Sequence, residues 1–140
     1  KPDKPAWEFK YGEGMPIGDD VKGGIAISAD GSKIFTSIGD RILLFDKKSN
    51  RPVWQSETEG QSYNVGISKD GEYMAAATAG DEGNINSNLI ILWNRKSEKP
   101  LWRYHSSGNF HDVSLSDNGG FIAGSTGCPA GAATLTISRP

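Results

Sequence analysis

The sequence predicts an all-β fold made of a repeated unit of four short antiparallel strands, and three observations predict it. Nearly the same phrase is written three times: Ile27-Ser28-Ala29-Asp30-Gly31-Ser32-Lys33-Ile34-Phe35, Ile67-Ser68-Lys69-Asp70-Gly71-Glu72-Tyr73-Met74-Ala75, and Leu115-Ser116-Asp117-Asn118-Gly119-Gly120-Phe121-Ile122-Ala123. Each is a β-rich run, a Ser-led turn containing Gly, and a second β-rich run, the pattern of a hairpin. A basic-Pro-apolar-Trp phrase also recurs, with Trp7, Trp54 and Trp102 spaced by 47 and then 48 residues. Between these phrases lie aliphatic runs of five or six residues closed by polar turns, too short for helices. A period of 40 to 50 residues marks a repeat architecture.

The chain opens with Lys4-Pro5-Ala6-Trp7-Glu8-Phe9-Lys10-Tyr11, where Trp, Phe and Tyr alternate with other residues as in a half-buried strand. This is strand D, expected over residues 4–11, with counterparts at Arg51-Pro52-Val53-Trp54 and Lys99-Pro100-Leu101-Trp102-Arg103-Tyr104. Proline cannot donate to a ladder, so it fits the first residue of an outer strand.

Strand A follows at Gly24 to Ile27, Asn64 to Ile67 and Asp112 to Leu115, where aliphatics alternate with Ala, Gly and Ser. Small residues in that alternation suit a strand covered on both faces. Strand B is expected at Lys33 to Ser37, Tyr73 to Thr78 and Gly120 to Ser125, and strand C at Arg41 to Asp46, Leu89 to Asn94 and Ala133 to Ser138. The order is therefore D, A-B-C-D, A-B-C-D, A-B-C: an initial strand D, a repeat over 24–56, a second over 63–104 and a partial one over 111–138, all in one domain spanning 1–140.

Bulk composition narrows the partners. The formal charge is -2 with both signs interspersed, which argues against a footprint for nucleic acid or an anionic membrane surface. No apolar run is long enough for a membrane span. A hydrophobic fraction of 36% omits eighteen glycines, and with them the chain is ordinarily globular. Cys128 has no partner for an internal disulfide, and no leader pattern is seen, so the expected compartment is either the cytoplasm or, with a signal removed, the outside.

The phrases Val65-Gly66-Ile67-Ser68-Lys69-Asp70-Gly71-Glu72-Tyr73 and Leu92-Trp93-Asn94-Arg95-Lys96-Ser97 resemble β-propeller repeats of the prokaryotic WD40-like kind, without the Gly-His and Trp-Asp pairs. Phe45 to Trp54 and Trp93 to Trp102 also resemble the C-to-D passage of quinoprotein-like (PQQ-type) repeats. The resemblance implies blades of four antiparallel strands, with Trp7, Trp54 and Trp102 docking each blade on the next. Three blades leave two apolar faces open, because single-chain propellers have about four to eight. Two solutions are expected: a fragment of a longer propeller, or a homodimer forming six blades in which strand D of one chain completes the last blade of the other.

In such a blade the A-to-B and C-to-D turns share one rim, and the D-to-A and B-to-C loops share the other. The first rim is uniform in length. The expansions, Gly12 to Gly23, Ala79 to Asn88 and Gly127 to Ala132, all fall on the second. Variable loops on a regular scaffold are common binding sites, so Asp19, Asp20, Lys22, Asp81, Glu82, Asn84, Asn86 and Asn88 are the candidate binding rim. The oxygen-rich run at 81–88 could suit calcium, but its spacing is not that of an EF-hand loop and it reads as a polar turn, with no metal expected.

His105 and His111 lack the further ligands of a metal site, and Cys128 lacks a base to activate it. No catalytic motif, and hence no catalytic residue or cofactor, is read from the sequence. The leading expectation is a non-enzymatic scaffold binding a protein or other macromolecule through its long-loop rim. The alternative is part of a quinoprotein-like or hydrolytic propeller enzyme with an axial site, for which Asn64 and Asp112, at the inner ends of A strands, are the suggestive residues.

Overall fold

Glycine at a fixed place in each Ser-led turn sets the architecture. The computed structural model describes residues 3–10, 23–80, 88–106, 108–128 and 135–138. Gly31, Gly71 and Gly119 have φ of 71, 71 and 70°, a region other residues enter only with strain. Each turn reverses the chain between paired antiparallel strands. The eleven strands are β1 (Ile25–Ile27), β2 (Lys33–Ile38), β3 (Arg41–Asp46), β4 (Trp54–Glu57), β5 (Gln61–Ile67), β6 (Tyr73–Ala79), β7 (Leu89–Asn94), β8 (Trp102–His105), β9 (Asn109–Leu115), β10 (Ile122–Cys128) and β11 (Leu135–Ser138). They form three antiparallel meanders: sheet 1 (β1-β2-β3-β4), sheet 2 (β5-β6-β7-β8) and sheet 3 (β9-β10-β11).

Most expected strands lie where the sequence placed them, with informative differences. β5 and β9 begin three residues before the expected A strands, and both carry a register irregularity against their neighbours. Strands β4 and β8 start at Trp54 and Trp102, so Pro52 and Pro100 precede the strands rather than opening them. Val53 and Leu101, just before each Trp, donate their N–H groups to Leu44 and Leu92. The segment expected as a strand at 4–11 is not a strand over its described residues 4–10. Its side chains still alternate: Trp7 and Phe9 are half-buried, Glu8 and Lys10 exposed. The physical reason is that, among the described residues, no strand pairs with it to make a ladder.

Two cores sit between the sheets. Between sheets 1 and 2, Phe35, Ile42, Leu44, Val65, Met74, Ala76, Leu89, Ile91 and Trp93 are buried together. Between sheets 2 and 3, Ala75, Ala77, Ile90, Leu92, Phe110, Val113 and Ile122 form the second core. Successive residues of β6 and β7 point alternately into the two cores, which is why the Ala-rich β6 is a strand and why its centre is small: Ala75, Ala76 and Ala77 are all fully buried. The sheets also approach closely where glycine permits. A Cβ on Gly66 would lie 2.8 Å from the Leu115 Cδ1, and one on Gly124 would lie 2.1 Å from the Ile90 Cδ1.

Candidate functional surfaces

Each A-to-B turn is held by one hydrogen-bond set. In the first, the Ser28 hydroxyl donates to Asp30 Oδ1 (2.8 Å) and accepts from the Lys33 N–H (3.0 Å), while the Ser32 N–H donates to Asp30 Oδ1 (2.9 Å). The second repeats this with Ser68, Asp70, Glu72 and Tyr73, and the third with Ser116, Asn118, Gly120 and Phe121. The Ser hydroxyls are therefore turn staples. Accepting the Ser32 N–H, and the Ser28 hydroxyl after it, lowers Asp30 to a pKa of about 2. Asp70 is lowered for the same reasons, the Ser68 hydroxyl first and the Glu72 N–H second.

These turns also join the sheets. The Ala29 N–H donates to the Lys69 carbonyl (2.9 Å), and the Lys69 N–H donates to the Asp117 carbonyl (2.8 Å). Ala29, Lys69 and Asp117 follow the three equivalent serines, so this is one bond repeated from sheet to sheet.

Trp54 leaves sheet 1 to meet Trp93 of sheet 2 (ring centroids 6.4 Å apart) and donates its Nε1–H to the Arg95 carbonyl (2.9 Å). Arg95 is itself fixed within sheet 2, since its Nε lies 3.0 Å from Glu72 Oε2 and its N–H donates to the Glu72 carbonyl. Trp7 repeats the arrangement one unit earlier, stacking on Phe45 at 5.5 Å and donating to the Lys47 carbonyl at 2.7 Å. Trp102 packs against the second core, but its Nε1–H has no hydrogen-bond partner among the described residues.

Of the candidate rim, Asp19, Asp20, Lys22, Asp81, Glu82, Asn84 and Asn86 lie outside the described residues. Asn88 is buried: its side-chain oxygen accepts the Gly80 N–H (3.1 Å), and its carbonyl accepts the Ser106 N–H (3.0 Å). It thus links Gly80, just after β6, to Ser106, just after β8.

In the middle of β5 and β9, the Asn64 amide donates to Asp112 Oδ1, and each side-chain oxygen also accepts the N–H of the following residue. Next to them, the ring of His111 meets Tyr63 edge-on at 5.9 Å. Tyr63 and His111 hold equivalent positions in adjacent units, and sequence reasoning did not foresee that such positions touch, a relation that appears only once the sheets are stacked. It also missed Ser62, whose fully buried hydroxyl has no partner among the described residues. Nothing in its local sequence marks that burial.

No protein-family profile matches this chain, and no curated protein matches it in sequence. Among solved structures it resembles the structure of U3-55K, with a TM-score of 0.59 over 77% of this chain at 19% identity. The fold is propeller-like. That likeness and the four-stranded antiparallel sheets agree on a propeller-like architecture. The chain spans 34% of the length of the U3-55K chain it matches.

Proposed function

We propose that this chain is a non-enzymatic propeller-like scaffold that presents its D-to-A and B-to-C loop rim to a macromolecular partner. The observation that carries this reading is the contrast between the two ends of the strands. At one end all three turns are stapled by the same Ser-to-Asx bonds and linked from sheet to sheet. The insertions in the sequence gather at the other end. A rigid frame with variable loops at one edge is the usual construction of a recognition surface.

The reading is tested by replacing residues 81–87 with a short Gly-Ser turn and comparing the proteins co-purified by the two chains. A specific partner retained by the wild type and lost by the shortened chain, at an unchanged melting temperature, is the expected result. Equal capture by both chains overturns it. The alternative, a quinoprotein-like or hydrolytic enzyme with an axial site, would use Asp112, whose Oδ1 is already engaged by the Asn64 amide and the Val113 N–H.

A further inference from the structure

The three Ser-led turns share one hydrogen-bond set, and the third differs at the residue that accepts it. The first two carry Asp30-Gly31 and Asp70-Gly71, while the third carries Asn118-Gly119, the one Asn-Gly step in the sequence. Asparagine followed by glycine is the pair most prone to lose its side-chain amide, because no Cβ on the next residue screens the backbone nitrogen that attacks it. Asn118 is exposed. Asp70 is exposed at the same place although its unit has a sheet on either side, so the exposure belongs to the turn itself.

The closed turn holds the reacting groups apart. The Gly119 N–H, whose nitrogen is the nucleophile, donates to the Ser116 carbonyl (2.9 Å). Asn118 Oδ1 accepts from the Ser116 hydroxyl (3.1 Å) and from the Gly120 N–H (2.8 Å), which directs the side chain past Gly119 to the residue beyond. The Ser116 hydroxyl also accepts the Phe121 N–H (2.9 Å), so one side chain fastens both halves of the turn. Gly119 is itself buried against Tyr73, where a Cβ would lie 2.5 Å from the ring Cδ2. Attack therefore needs the turn to open.

We propose that Asn118 is a site of spontaneous deamidation gated by Ser116. When the turn opens, the Gly119 nitrogen gives its proton to solvent base and bonds to the Asn118 side-chain carbonyl carbon, and the amide nitrogen leaves as ammonia. Water then opens the resulting succinimide ring at one of its two carbonyls. One product is aspartate; the other is isoaspartate, whose main chain runs through the former side chain and is one methylene longer.

The two products have opposite consequences. Aspartate reproduces the turns of Asp30 and Asp70, which hold the same bonds with a carboxylate. Isoaspartate shifts Gly119 and Gly120 away from their acceptors. The lesion adjoins the Asp117 carbonyl, which takes the Lys69 N–H and links sheet 3 to sheet 2. Asn118 is thus a slow clock on that link.

Mass spectrometry of the folded chain held at mildly alkaline pH tests the proposal, with fragmentation locating the acid. Asn118 is expected to convert while Asn50, also exposed but followed by Arg51, does not. Conversion should be slower than in the urea-unfolded chain, and Ser116→Ala should speed it about two- to tenfold, the effect of losing a hydrogen bond that keeps the turn shut. No conversion at Asn118 in the folded chain, over a time in which the unfolded chain reacts, overturns the site. A rate that is the same folded and unfolded, or unmoved by Ser116→Ala, overturns the gate. If Ser116→Ala lowers the melting temperature of the whole chain, wild type at a series of sub-denaturing urea concentrations replaces it. Conversion should then rise in step with hydrogen exchange at the Gly119 amide, and a constant rate overturns the gate. Among aged molecules, the isoaspartate fraction should melt below fresh chain and Asn118→Asp should match it at neutral pH; equal melting of both products overturns their opposite consequences.

Discussion

The two interfaces between neighbouring sheets share one plan and are filled in opposite ways. Between sheets 1 and 2 the space is occupied by rings: Phe35, Trp54 and Trp93 meet pairwise with centroids 5.9 to 6.4 Å apart. Between sheets 2 and 3, Ala75, Ala77, Gly66 and Gly124 leave room for aliphatic tips such as those of Leu115 and Ile90. One junction depends on large side chains being present and the other on Cβ atoms being absent. Opposite kinds of substitution should therefore break them.

The largest effect is expected from deletion at the first junction. Trp93 is fully buried, contacts both Phe35 and Trp54, and donates its Nε1–H to the Glu98 carbonyl (3.1 Å). Trp93→Ala should cost about 3–5 kcal/mol in denaturant unfolding, enough to leave a marginal domain unfolded. A loss under about 1 kcal/mol would mean the aromatic cluster is not the core of that junction.

Addition should break the second junction. Gly124→Ala places a methyl 2.1 Å from the Ile90 Cδ1, and overpacking of this kind costs about 1–3 kcal/mol. Ile90→Val removes that carbon. The double variant should therefore be more stable than the sum of the two single losses allows, and strict additivity in the double-mutant cycle would show that the clash is relieved elsewhere.

A smaller difference separates two residues that the sequence makes look alike. Trp54→Phe removes the bond to the Arg95 carbonyl, worth about 0.5–1.5 kcal/mol. Trp102→Phe removes an N–H with no partner among the described residues, so its cost should be lower by about that amount. Equal losses in parallel thermal melts would show that Trp102 has an acceptor of its own.

How much of this was legible in the sequence depended on whether the signal was local. Strands β3 and β7 and all three Ser-led turns could be read directly, because turn residues and β-rich runs act over a few positions. Docking by Trp54 was read from its recurrence alone; its contacts with Trp93 and the Arg95 carbonyl join residues some forty positions apart. By contrast, residues 4–10 carry the alternation of a strand without being one, since alternation records burial of one face and says nothing about a neighbour to pair with. Asn88 was grouped with its neighbours on composition, while the structure buries it between Gly80 and Ser106, which are distant from each other in sequence. The Glu72–Arg95 pair that steadies the Trp54 acceptor joins residues distant in sequence, and no motif announces it.

The turn ladder that spans both junctions supplies the smallest expected effect and one that acid should make unequal. The first junction links two turns whose acceptors are carboxylates, Asp30 and Asp70; the second links Asp70's turn to one built on Asn118, which does not titrate. Asp30 has a folded pKa of about 2, below its unfolded value of 3.8, so in that window the unfolded chain binds more protons and stability rises with pH. Its contribution is complete above about pH 4 and is lost as the pH falls through about 2. Asp70, shifted in the same direction, behaves alike. Asp30→Asn and Asp70→Asn should each keep the turn at neutral pH, as Asn118 does naturally, and flatten the decline in melting temperature between pH 4 and 2. Asn118→Asp should steepen it. If all three variants follow the wild-type curve, the carboxylates do not support the ladder, and the two junctions differ only in how their cores are filled.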